Sequence, residues 1–177
     1  MYQRLLLSFL LFIPHTPGFS AVYQDHDEFT GKWYEETGDW GGFKGLNELD
    51  GDTFLSLVPL QVRYPDNTKE YRLKMQWEGR LLDFVDRRPK LILIIDGEKI
   101  ALEADASVSH LIEFRIDDGD VVERAEYPTT GEVIKQISNA ESVRVAVYTA
   151  RGRLERSFSK KNKKIFLEFV SKVMDKK

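Results

Sequence analysis

The chain of 177 residues contains no cysteine. Disulfides are therefore excluded, and stability must come from core packing and hydrogen bonds alone. A thiol nucleophile and a cysteine-linked lipid anchor are excluded by the same absence. Asn47, Asn67, Asn139 and Asn162 are each followed two places on by something other than Ser or Thr, so no N-glycosylation sequon exists. Catalytic signatures are missing too. There is no Gly-x-Ser-x-Gly elbow, no His-Glu-x-x-His helix and no phosphate-binding glycine loop ending in Lys-Ser/Thr. Nor is any apolar run long enough to span a bilayer: the longest, Leu5 to Ile13, is broken only by Ser8, and nine helical residues rise only about 14 Å.

That short run has a different meaning. It follows the basic head Met1-Tyr2-Gln3-Arg4 and precedes Pro14, Pro17, Gly18 and Ser20, which is the layout of a secretory signal peptide. Signal peptidase needs small residues one and three places before the cut. Ser20 and Gly18 meet that need, so residues 1–20 are read as the signal and Ala21 as the mature N-terminus. The expected location is periplasmic or secreted. A cysteine-free, sequon-free exported chain suits a bacterial envelope. No transmembrane segment is expected once the signal is removed.

Charge is distributed unevenly. Residues 22–142 carry 14 Lys and Arg against 26 Asp and Glu, a net of −12, whereas residues 143–177 carry 11 against 3, a net of +8. Asymmetry of this kind bears on partners and not on fold.

The remaining 157 residues suit one domain, residues 21–177. Gly38 to Gly45 reads as an irregular loop, and Pro59 places Thr53–Tyr64 at an edge or a bulge. Tyr71, Leu73, Met75 and Trp77 alternate onto one strand face, and Pro65-Asp66-Asn67-Thr68 turns the chain between these two strands. Leu91–Ile95 and Glu98–Leu102 form a hairpin around Asp96-Gly97, and the first of the two is apolar on both faces. A second hairpin joins His110–Ile116 to Val121–Tyr127. Thr129 is the expected cap of a helix carrying Val133, Ile134, Ile137 and Ala140 inward. Ser142–Thr149 and Leu154–Phe158 repeat the strand pair, and Ser159 caps a closing helix with Ile165, Phe166, Phe169, Val170 and Val173 inward. The expected fold class is α+β: an antiparallel sheet of about seven to nine strands in hairpins, with two helices on one face.

Candidate chemistry is sparse. His26 among Asp25, Asp27 and Glu28 reads as a solvated tail. The acidic groups Asp117, Asp118, Asp120 and Glu123, and Glu48, Asp50 and Asp52, lack the register of a calcium loop and read as turns. No metal and no cofactor is expected. Glu103, Asp105 and His110 are the residues a small envelope hydrolase would use, provided they converge in one cleft. Trp33, Tyr34, Trp40 and Phe43 supply rings for stacking on sugars or for closing one end of the sheet. The basic group comprises Arg144, Arg151, Arg153, Arg156, Lys160, Lys161, Lys163 and Lys164. Its lysines gather where the helix macrodipole disfavours positive charge. The function expected from this set is a non-enzymatic exported binding or accessory domain that meets an anionic envelope polymer, a lipid or an acidic protein. Export directs it away from nucleic acid. A third reading adds an edge strand of this chain to another sheet.

Overall fold

A computed structural model of the chain describes residues 21–38, 46–49, 53–79, 90–105, 111–114, 121–149 and 152–176. The expected signal, Trp40, Phe43, His110, Arg151 and the turn at Asp117–Asp120 lie outside the described residues. Within them the order is β1 (Ala21–Asp27), β2 (Lys32–Gly38), β3 (Leu46–Leu49), β4 (Thr53–Arg63), β5 (Lys69–Gly79), β6 (Lys90–Ile95), β7 (Glu98–Glu103), β8 (Leu111–Phe114) and β9 (Val121–Thr129). Helix α1 (Gly131–Asn139), strands β10 (Val143–Thr149) and β11 (Gly152–Ser157) and helix α2 (Lys160–Phe169) follow, and a π-helical turn over Val170–Met174 extends α2.

All pairings are antiparallel, and the class is α+β. The strands divide between two sheets where a single one was expected. Sheet A runs β1-β2-β4-β5-β9-β8 with β3 also on β4, and sheet B runs β11-β10-β6-β7. The hairpins expected at β4–β5, β6–β7, β8–β9 and β10–β11 all form. Long-range pairings add to them: β5 pairs with β9, and β6 pairs with β10.

Local chemistry fixes the turns. Asp96 and Gly97 both take positive φ, 48° and 92°, as a two-residue hairpin demands. The Asp96 carboxylate accepts hydrogen bonds from Ser142 N at 2.7 Å and Glu141 N at 3.2 Å, tying this turn to the junction of α1 and β10. Those backbone donors, Ser142 first, hold the Asp96 carboxyl below its usual range. Pro59 sits in neither an edge strand nor a bulge. β4 is flanked on both sides, but β2 pairs with it only as far as Leu60 and β3 only over Thr53–Leu55. Proline's missing donor therefore falls in the gap between two partners.

The cap of α1 is Thr130 and not Thr129: the Thr130 hydroxyl accepts from Val133 N at 3.3 Å. Ser159 caps α2 as expected, in a reciprocal box with Asn162. Both helices turn their apolar sides to one core. Ile134 and Ile137 of α1 and Phe166 and Phe169 of α2 meet Leu57, Leu73, Met75 and Tyr127 of sheet A. Leu91, Leu93, Val145 and Val147 of sheet B complete the same cluster. Each fully buried Phe stabilises the fold by roughly 1.5–3 kcal/mol.

Candidate functional site

Sheet B has two unlike faces. The alternation of β6 and β10 sends Leu91, Leu93 and Ile95, and Val143, Val145 and Val147, into the core. The intervening residues point outward, and apart from the buried Ala146 they stay at least partly open: Ile92 and Ile94 are half-buried, and Tyr148 is 45% exposed. The register sets them in rows. Glu155, Ala146, Ile92 and Ala101 lie across the sheet in one row, and Ser157, Arg144, Ile94 and Lys99 in the next. Tyr148 pairs with Arg153 beyond them. All of these but Ala101 and Ser157 line a shallow depression of about 130 Å³ with an apolar floor and a charged rim.

The rim is organised by one carboxylate. Glu155 accepts from Arg144 Nη1 at 2.9 Å and meets Arg153 Nη2 at 3.0 Å. Arg156 Nη1 donates to the Glu155 carbonyl at 2.8 Å. Exposed pairs of this kind add little stability, at most about 1 kcal/mol each. Their effect is positional: two guanidiniums are held against one carboxylate. Lys99 is exposed on the same face. With Lys90 and Glu103 on the same face, four cations stand against two anions and leave it positive.

Helix α2 begins three residues after Ser157, the partner of Arg144. Lys160, Lys161 and Lys164 are exposed there. Lys163 is not part of that display. Its ammonium donates to the carbonyls of Glu141 at 2.9 Å and Ala140 at 3.3 Å, where α1 ends. A cation at that terminus satisfies carbonyls left over by the helix. Lys164 and Lys172 both reach Glu168, at 3.6 and 3.0 Å.

The candidate hydrolytic residues meet different partners. Glu103 is exposed at the end of β7, 3.7 Å from Lys90 across sheet B. Asp105 lies past the strand end, where its N–H donates to the Glu126 carbonyl of sheet A and its carboxylate sits 3.8 Å from Arg72. Arg72 also holds Glu126 at 3.0 Å and Glu70 at 3.1 Å. The pair is thus divided between two neighbourhoods, and Asp105 belongs to an ion-pair network.

The aromatic residues separate in the same way. Trp33 and Tyr34 are successive in β2 and face opposite sides of sheet A. Trp33, 38% exposed, stacks on His26 with ring centroids 4.4 Å apart, and the Arg63 guanidinium lies 5.7 Å from its ring. His26 is therefore a residue of strand β1 and not of a frayed tail. Tyr34 is half-buried, and burial, more than its acidic neighbours, pushes its hydroxyl up.

Sequence reading overlooked the tip of the β1–β2 hairpin. The Asp27 carboxylate accepts from Phe29 N at 2.9 Å, Thr30 N at 3.3 Å and the Thr30 hydroxyl at 2.5 Å, and Gly31 N closes the turn on the Asp27 carbonyl at 2.7 Å. Gly31 takes φ +68°. Phe29 projects from this frame fully exposed. Aspartate and glycine flanking a lone aromatic were the available signal. Ile92, Ile94, Lys99 and Tyr148 were likewise overlooked; for Ile92 and Ile94 the signal was a strand apolar on both faces.

Among the described residues no cluster of His, Asp or Glu is placed to hold a metal ion, and no helix is long and apolar enough to cross a membrane. No protein-family model matches the chain. No curated protein matches it in sequence.

Proposed function

We propose that this protein is a non-enzymatic binding module of the cell envelope, exported through the signal at residues 1–20, that receives a polyanionic partner on the outer face of sheet B. What supports this reading above all is the placement of Arg144, Arg153 and Lys99 around the apolar floor of Ile92, Ile94 and Tyr148. The guanidiniums supply charge-assisted hydrogen bonds to carboxylate, sulfate or phosphate groups, and the floor takes up the apolar part of the ligand. Lys160 and Lys161 extend the positive field beyond the rim and steer the approach of the anion.

The overall charge makes the test discriminating. The chain carries a net −3 and has a pI near 5.7, so its total charge opposes binding to an anionic matrix at pH 7. Retention on such a matrix at low salt must come from a local patch. The protein is expected to be retained and to elute as salt rises, since screening within about 10 Å at 0.1 M weakens exposed charges. Arg144→Gln combined with Arg153→Gln should abolish retention. Retention that is indifferent to salt, or unchanged in this variant, would overturn the reading.

A further inference from the structure

We infer that the anionic partner is a second copy of this chain: the β1–β2 hairpin tip of one molecule seats Phe29 in the depression on sheet B of the next. The inference rests on the reading of that depression as an anion-receiving surface, and it names the occupant. Both halves of the contact are present in one molecule. The depression offers an apolar floor, Ile92 and Ile94, inside a rim of Arg144, Arg153 and Lys99. The tip offers one apolar ring in a setting of net negative charge: Phe29 follows Glu28 and Asp27, with Asp25 two residues earlier on β1, against Lys32 opposite Asp27. Apolar surface meets apolar surface, and opposite charges surround it.

The tip is also prepared for docking. Three hydrogen bonds to the Asp27 carboxylate and a fourth to its carbonyl fix the turn before anything binds. Ordering a flexible loop on association costs affinity, and a loop already ordered avoids that cost. Full exposure of Phe29 leaves its whole ring open to a partner surface. The two surfaces differ, which makes the contact heterologous. Such contacts propagate head to tail into rings or open chains. A single hairpin tip covers less than the roughly 800 Å² per partner of a standard interface, so a dissociation constant on the order of 100 µM is expected at low salt.

Complementation between two defective variants tests this most sharply. In Phe29→Ser the tip is disabled and the depression intact; in Arg144→Glu/Arg153→Glu the reverse holds. Loss of Phe29 breaks no contact within the fold, and Lys99→Glu is a second face variant that alters a single exposed side chain. By sedimentation velocity at low salt, the native protein should form concentration-dependent oligomers that dissociate as salt rises. Each variant alone should be monomeric. An equimolar mixture of a tip variant and a face variant should form a dimer and nothing larger, because only one competent tip and one competent depression remain. Monomeric native protein up to about 1 mM, or a mixture that does not dimerise, overturns the inference. Retention on the anionic matrix separates the two levels. If Phe29→Ser is still retained at low salt while no self-association is seen, the occupant is wrong and the anion-binding face stands. If retention is absent as well, both readings fall.

Discussion

Asp27 and Asp96 do similar work in two different hairpins: each carboxylate accepts several donors and holds a turn. Both are held below the usual aspartate range, Asp27 chiefly by the Thr30 hydroxyl and Asp96 chiefly by Ser142 N. A carboxyl depressed in the folded state stabilises the fold fully above its unfolded value near 4 and loses that contribution as pH falls through the folded value. Stability should therefore decline below about pH 4, and Asp96→Asn should flatten this acid limb, as read from urea midpoints between pH 2 and 7. Gly97 makes a separate demand, since its φ of +92° suits no residue with a Cβ. Gly97→Ala should cost about 1 kcal/mol in the same unfolding assay, although nothing lies within 4 Å of the added methyl. In the core, Phe166→Ala should cost about 3–5 kcal/mol, because Phe166 is wholly buried in the cluster to which both sheets and both helices contribute.

The elements show where sequence reading succeeds and where it stops. The hairpin at Asp96-Gly97 was legible because two residues fix a turn without help from elsewhere. Ser159 was legible as a cap for the same local reason, whereas Thr129 and Thr130 are adjacent and chemically alike, and only backbone geometry selects the second. β1 was not legible. Its sequence, AVYQDHD, lacks apolar alternation and becomes a strand because β2 supplies a ladder across its whole length. The division into two sheets was hidden as well, since periodicity reports which face is apolar and not which distant strand it joins. The candidate site suffered from this most. Arg144 and Arg153 are nine residues apart in sequence, and only the pairing of β10 with β11 and β6 sets them beside Ile92 and Ile94. Helix α2 carries its own trade-off. Lys160 and Lys161 occupy a first turn with no acidic residue, against the macrodipole. Lys160→Glu with Lys161→Glu should raise stability by roughly 0.3–1 kcal/mol per site and weaken retention on an anionic matrix. Thermal melts and elution salt would show the two effects moving in opposite directions.

At the scale of the whole molecule, a net charge of −3 conceals a separation of sign that the fold turns into a positive face on sheet B and an acidic hairpin tip on sheet A. Export through residues 1–20 would leave Ala21, the first residue of β1, as the mature N-terminus. The intact mass of the native protein should match residues 21–177. The anion-receiving face of sheet B is tested most directly by a backbone amide chemical-shift titration with a short sulfated oligosaccharide at low salt. Saturable shifts should concentrate on Ile92, Ile94, Lys99, Arg144, Tyr148 and Arg153, and should be lost in Arg144→Gln/Arg153→Gln. Shifts confined to another surface, or none at concentrations well above 1 mM, would contradict it.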